Sequence, residues 1–224
     1  MSLIQRWTPA ELSLWIAFWA GLLALLVGMV LAWVFARVNF KAKWLAEGLL
    51  MLPLVLPPTV LGYYLLVGLG QRGLGPYVEQ LFGFRFVFTW VGAVAAAFIS
   101  ALPLVVQTIK PSLADINPEI ENAARVDGCN EPQLFWYVTL PLVWRAVVGG
   151  AVLGFLRALG EFGATLMVAG NIPGRTQTLS MAIYDAVQAN DIAQANFLVL
   201  VLSSITFVLL FLALRLGKQF QSTH

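Results

Sequence analysis

The charged side chains with the clearest potential for chemistry stand inside a long apolar segment, where Arg157 and Glu161 are four positions apart. On a helix this spacing places both side chains on one face, where they can form an ion pair. An isolated charge at mid-membrane is costly, so we expect the two charges to be neutralised and to face inward. Either Arg157 attracts an anion, or the pair holds a gate or a dimer core together. The nearby carboxylate would half-cancel an anion site, which favours the second interpretation.

A proline cluster marks a second candidate site in another apolar segment. Pro53, Pro57 and Pro58 each remove a backbone donor, and the adjacent pair bends a helix that contains it. Within a membrane, such a bend is tolerated where freed carbonyls meet protein or a water-filled cavity. We therefore expect Pro57, Pro58 and Thr59, together with Thr165, to line a translocation path or gate. A kink that serves packing alone is the alternative.

Small residues recur in the apolar segment that carries the ion pair. Such residues let membrane helices approach closely and slide past one another. Ordinary helix packing explains the same pattern, so the small residues indicate close contact without specifying movement. They are Gly150, Gly154, Gly160, Gly163 and Ala164.

Side chains of the kinds used in catalysis are scarce. The chain has one histidine, His224, and one cysteine, Cys129, which exclude an internal disulfide and a cysteine-based metal cluster. No Gly-x-x-x-x-Gly-Lys-Ser/Thr phosphate loop occurs, so ATP cannot be held in that way. We therefore expect a non-catalytic chain without cofactor or metal, driven by a partner. A formal charge of +2 gives no indication of nucleic-acid binding.

The elements that carry these residues are membrane helices. Of the 224 residues, 60% are apolar and only 11% are charged, and the mean hydropathy is +0.83. Four segments lack charged residues over more than the roughly 20 residues that a helix needs to cross a bilayer. A fifth apolar segment carries the ion pair. The sequence predicts one all-α integral membrane domain over residues 1–224, with spans at about 12–37, 45–69, 87–109, 141–170 and 195–216.

The distribution of positive residues predicts the orientation of these five spans. One side would hold Arg37, Lys41, Lys43, Lys110, Arg125, Arg145, Arg215 and Lys218. The other side would hold Arg6, Arg72, Arg85 and Arg175. Positive residues are more frequent on the cytoplasmic side, so we expect the N-terminus outside and the C-terminus in the cytoplasm.

The longest predicted cytoplasmic loop, about residues 110–140, contains a short helix with clear boundaries. Asn117 and Pro118 are typical of an N-cap and a first helical residue, and Gly128 is typical of the residue that ends a helix. Glu121, Ala124, Arg125 and Gly128 follow the spacing of one helix face. Small residues beside a charge pair would let another protein approach closely; a solvated amphipathic loop is the alternative.

Residues 121–141 resemble the cytoplasmic signature of ABC-importer permeases. That signature has an alanine pair, a glycine four positions after the second alanine and a Leu-Pro about a dozen residues later. Asn122 stands where the family usually has glutamate, next to Glu121, and Asp127 stands where many relatives are apolar. The resemblance implies that this segment is the coupling helix that docks on the ATPase. Its candidate coupling residues are Glu121, Ala123, Ala124, Arg125, Gly128, Leu140 and Pro141.

Two further segments, residues 52–62 and 157–175, look like those of the molybdate permeases, and sulfate and tungstate permeases are similar in the second. The resemblance covers about residues 10–217. It implies a homodimeric, inner-membrane permease that works with two copies of a cytoplasmic ATPase and an extracytoplasmic molybdate-binding protein. Tungstate and sulfate remain alternative substrates.

Two other classes of membrane protein are alternatives. An ion-gradient-driven transporter would show paired broken helices in repeated halves, and only one broken segment is visible in the sequence. A structural or assembly protein would have neither the signature loop nor the ion pair within the membrane.

Overall fold

The computed structural model describes residues 7–71 and 73–219, and the regular structure in these two ranges is entirely helical. Four helices and one bent pair of helices have the length and composition of membrane spans, as the sequence predicted. In chain order the helices are α1 (Pro9–Arg37), α2 (Lys43–Val55), α3 (Pro58–Leu69), α4 (Gly75–Phe82), α5 (Trp90–Ala114), α6 (Pro118–Val126), α7 (Glu131–Leu134), α8 (Leu140–Leu159), α9 (Gly163–Ala169), α10 (Leu179–Gln188) and α11 (Ile192–Gln219). A π-helical turn, Phe135–Thr139, joins α7 to α8.

Helices α1, α5 and α8 form the core through contacts between small residues. Val105 of α5 lies in a notch made by two glycines. A Cβ added to Gly28 of α1 would lie 2.8 Å from Val105 Cγ1, and one added to Gly154 of α8 would lie 2.6 Å from Val105 Cγ2. Because lipid is as apolar as a side chain, such close packing is what holds membrane helices together. The prediction that small residues give close helix contact is confirmed for Gly154.

The second predicted span is two helices rather than one. Helices α2 and α3 meet at Leu56 and Pro57 with a bend of 114°. Pro57 and Pro58 cannot donate to the carbonyls of the preceding turn, so the helical hydrogen bonds end at Val55 and resume in α3. The predicted bend is confirmed.

The fourth predicted span, about residues 141–170, was wrong in two respects. It begins earlier, because α7, the π-helical turn and α8 form one continuous span over Glu131–Leu159. It also breaks at residues 160–162 before α9 begins. The expectation of only one broken segment was therefore wrong, although the two breaks do not lie in repeated halves of the sequence. No proline stands at the second break, which is why it was not predicted.

Two short helices were missed because they are too short to qualify as spans. Helix α4 ends at Gly83, which has a φ of +71°. Helix α10 begins at Thr178, whose hydroxyl accepts a hydrogen bond from Met181 N. Both helices belong to the connections between spans.

Ion pairs and backbone contacts sort the charged residues into two ends. At one end Arg37 pairs with Glu121 and Lys110 pairs with Glu47, each at 2.7 Å. At the other end Trp7 N donates to Gly174 O, next to Arg175. Arg85 and Arg175 line one cavity there, so these residues share an end as expected. The predictions for Arg6, Arg72 and His224 lie outside the described residues.

Candidate coupling and gating sites

Helix α6 has the boundaries that its sequence predicts. The Asn117 side chain accepts a hydrogen bond from Glu119 N at 3.0 Å, and Pro118 is the first helical residue. Gly128 adopts a φ of +93°, a conformation that strains any residue with a Cβ. This turn lets Cys129 N donate to Ala124 O at 3.0 Å, which satisfies a carbonyl at the helix end.

Glu121 faces the body of the protein, not the exposed side of α6. It is 8% exposed, and its Oε1 accepts hydrogen bonds from Arg37 Nη2 at 2.7 Å and from Thr139 Oγ1 at 3.1 Å. Arg37 is the last residue of α1, and Thr139 immediately precedes α8. One buried carboxylate therefore joins α6 to two core helices. Glu121 and Arg125 line one cavity, so they lie on a common face of α6, and that face is turned toward the protein body.

Arg125 makes a second link, to α7. Its Nε and Nη2 donate to the two carboxylate oxygens of Glu131, at 2.8 and 3.3 Å, and its Nη1 donates to Asn122 Oδ1. The fork geometry suits a carboxylate, and the hydrogen bond to Glu131 raises the pKa of Arg125 above its ordinary value. The pair with Glu131 therefore links α6 to the start of the next span.

The outward side of α6 is apolar, which the sequence interpretation missed. Ile120 is 46% exposed and Val126 is 86% exposed, and Ala123 between them is also exposed. Their spacing of three residues within a helix that is otherwise polar was the available signal. We call Ile120, Ala123 and Val126 the α6 outer face.

The remaining predicted coupling residues lie around this helix. Ala124 is half-buried, and Gly128 is exposed. Leu140 and Pro141 start α8 directly after Thr139, the residue that binds Glu121. The structure thus brings the signature residues together, with Glu121 as their buried contact.

Arg157 and Glu161 form the predicted ion pair across the second helix break. Arg157 Nη1 lies 2.6 Å from Glu161 Oε2, although Glu161 stands beyond the end of α8. The other carboxylate oxygen, Oε1, accepts a hydrogen bond from Ala164 N at 3.0 Å, in the first turn of α9. The Glu161 side chain is 1% exposed, whereas that of Arg157 is 28% exposed. Glu161 therefore ties the end of α8 to the start of α9.

The two helix breaks pack against each other. A Cβ added to Gly163 would lie 2.8 Å from Pro58 Cβ, and one added to Gly62 would lie 2.7 Å from Met167 Cβ. Helices α3 and α9 therefore touch almost backbone to backbone. A substitution at either glycine would force them apart.

The predicted path residues divide between exposed and buried positions. Pro57, Pro58 and Thr59 are exposed at the bend. Thr165 is 1% exposed, and its hydroxyl donates to Phe162 O at 2.9 Å. Thr165 is thus placed to stabilise the break and not to contact a solute. Among the described residues no group of three or more His, Cys, Asp or Glu side chains could hold a metal ion.

The architecture is that of ABC importer permeases. The model superposes on the crystal structure of a bacterial ABC transporter that imports the polysaccharide alginate, with a TM-score of 0.75 and 15% sequence identity. The match covers 96% of this chain and 79% of that one. At this identity the likeness concerns the fold alone.

Residues 24–222 match the family model described as the binding-protein-dependent transport system inner membrane component. This chain belongs to that family. It is therefore a non-catalytic subunit of the inner membrane.

Several relatives are named as permease proteins of molybdenum or sulfate transport systems. The chain is 46% identical to the molybdenum transport system permease protein ModB of Haemophilus influenzae over 80% of this chain and 78% of the relative. It is 42% identical to ModB of Escherichia coli K12, over 82% and 80%. Identity to the sulfate transport system permease protein CysT of Salmonella typhimurium is 34%, over 90% and 73%.

Proposed function

We propose that this chain is the membrane-spanning subunit of an ATP-driven importer for molybdate. Family membership supports the transport role, and the two ModB relatives support the substrate, since their identity exceeds that to the sulfate permease CysT. Residues 1–224 form one permease domain. A homodimer of this domain works with two copies of a cytoplasmic ATPase and with an extracytoplasmic molybdate-binding protein. The N-terminus lies outside and the C-terminus in the cytoplasm.

The ATPase docks on the α6 outer face. Ile120, Ala123 and Val126 are apolar and exposed on a short helix that connects two membrane spans. Exposed apolar residues surrounded by polar ones are typical of a protein-binding surface. Ala123 at the centre leaves room for the partner to approach the helix backbone.

Movement of α6 is transmitted through Glu121. Its carboxylate binds Arg37 at the end of α1 and Thr139 at the start of α8, so a displacement of α6 pulls on both core helices. An ion pair that is largely removed from water is stronger than one at the surface, because the surrounding dielectric is lower. The observation that carries the coupling proposal is this buried carboxylate on the opposite side from the exposed apolar residues.

Helix α8 carries the movement to the gate. Its 20 residues span about 30 Å at 1.5 Å per residue, which is the thickness of the hydrocarbon core. Arg157 and Glu161 then link it to α9, and α9 packs on α3 at Pro58 and Gly163. The gate consists of the two helix breaks, and Pro57 and Thr59 face the path between the two copies of the chain.

A comparison of Glu121→Gln with Glu119→Gln tests the coupling step. Glu121→Gln keeps the side-chain shape but removes the ionic contact with Arg37, and we expect several-fold slower ATP-driven uptake with normal ATPase binding. Glu119 is exposed in the same helix turn, so the matched control should transport at the wild-type rate. Equal uptake by the two variants would refute a role for Glu121 in transmission.

Competitive uptake tests the substrate. Cells that lack their own molybdate permease are supplied with this chain, its ATPase and its binding protein, and molybdate uptake is measured against increasing tungstate or sulfate. We expect sulfate to compete poorly. Preferential uptake of sulfate or tungstate would assign the chain to that substrate instead.

A further inference from the structure

A cavity of about 650 Å³ lies at the end of the molecule opposite to α6. Its walls come from the end of α3, from the segment before α5 and from the connection between α9 and α10. A second cavity, of about 240 Å³, adjoins it. Arg85, Phe88, Thr89 and Arg175 line both cavities.

Most of the larger cavity is apolar. Besides Phe88, its apolar lining residues are Leu66, Val67, Leu69, Phe86, Val87 and Ile172. Its only charged lining residues in the described part of the chain are Arg85 and Arg175, which are both exposed. The site therefore combines an apolar interior with a cationic edge.

The charges at this edge leave a positive excess. Arg85 Nε pairs with Glu79 Oε1 at 2.7 Å, so one carboxylate offsets one of the two guanidinium groups. Arg175 has no ion pair within the described residues. Among the described side chains at this edge, Arg85, Arg175 and Glu79 carry a net charge of +1.

The wall between the two cavities is held in a strained conformation. Phe88 has a φ of +61°, which is rare for a residue with a bulky side chain. Its backbone N–H donates to Val168 O at 2.9 Å. Its ring packs against Gly170, since a Cβ added to Gly170 would lie 3.1 Å from Phe88 Cδ1. These contacts hold the Phe88 ring beside the cationic edge. A strained backbone conformation of this kind persists only where the surrounding contacts enforce it.

We infer that this cavity binds an anionic phospholipid, with its phosphate at Arg85 and Arg175 and part of an acyl chain against the apolar wall. Basic pockets between membrane helices bind anionic lipid headgroups. A phosphodiester carries one negative charge and would compensate positive charge at this edge. A free oxyanion dianion would instead lose hydration against an apolar wall. Trp90, 41% exposed beside the smaller cavity, is typical of the headgroup level.

Native mass spectrometry of the full chain, purified with its ATPase partner, tests this site. The complex is stripped of lipid and titrated with phosphatidylglycerol or with phosphatidylcholine of the same acyl chains. We expect tighter binding of phosphatidylglycerol. Each basic residue near a membrane surface contributes about fivefold in affinity, so Arg85→Gln with Arg175→Gln should weaken it roughly 30-fold.

Two further variants separate charge from folding. Replacement of both arginines by lysine keeps the charge and should retain most of the preference for phosphatidylglycerol. Lys43→Gln removes the same charge at the opposite end and should leave this binding unchanged. Wild-type affinity in the double glutamine variant, equal binding of the two lipids, or displacement of phosphatidylglycerol by molybdate would each overturn the inference.

Discussion

The ion pair between Arg157 and Glu161 gives the sharpest prediction, because the two side chains differ in burial. Arg157→Ala leaves the 1%-exposed Glu161 carboxylate with only the Ala164 N–H as a partner. Breaking a buried ion pair in this way costs about 3–5 kcal/mol. Glu161→Ala leaves Arg157 without its ion-pair partner, but the Arg157 side chain is 28% exposed and can reach water. The same change removes the hydrogen bond that caps α9. We expect this variant to lose about 2–3 kcal/mol, less than Arg157→Ala.

The double variant should be more stable than Arg157→Ala. With both charges gone, the remaining loss is the uncapped Ala164 N–H and some packing, about 1–2 kcal/mol. The coupling energy between the two positions is then about 5 kcal/mol, far above the error of a double-mutant cycle. If the losses simply added, the double variant would instead be the least stable of the three.

Membrane abundance, denaturant unfolding of the purified complex and uptake are measured side by side for the three variants. Arg85→Ala is the matched control, since Arg85 and Glu79 form an ion pair with side chains that are 67% and 35% exposed. Its loss should be below about 1 kcal/mol. An Arg157→Ala protein that assembles normally but transports poorly, with no recovery in the double variant, would refute the structural pair and indicate an anion site.

Three other perturbations test the remaining steps. Ala123→Trp places a large ring at the centre of the α6 outer face and should abolish co-purification of the ATPase while membrane abundance stays normal; retained co-purification would move the docking surface elsewhere. A membrane-impermeant thiol reagent added outside cells should miss Cys129 and label an Arg175→Cys variant, and the reverse pattern would invert the orientation. Gly62→Leu should lower thermal stability and uptake together, because its side chain meets Met167 Cβ of α9; unchanged uptake would show that α3 and α9 move independently.

Local features of α6 could be predicted because neighbouring residues determine them. Asn117, Pro118 and Gly128 set the start and end of the helix through bonds that reach only a few positions along the chain. The partners of Glu121 could not be predicted, since Arg37 stands 84 positions away and pairing depends on how α1 packs. Helical spacing grouped Glu121 with Arg125, but it could not show that this face turns toward the protein body.

The two broken spans also differ in whether neighbouring residues determine them. Pro57 and Pro58 predict the first break, because proline cannot continue the hydrogen-bond pattern of the preceding turn. The second break has no such residue. It is stabilised by Glu161, which neutralises Arg157 of one helix and caps the next, and the spacing predicted only the first of these contacts.

Molybdate uptake into proteoliposomes tests the central claim most directly. Vesicles contain this chain with its ATPase, ATP is supplied on the ATPase side, and the molybdate-binding protein is added on the other. We expect accumulation that requires both ATP and the binding protein and that persists when ion gradients are collapsed by ionophores. Uptake that continues without ATP and disappears with the ionophores would contradict it.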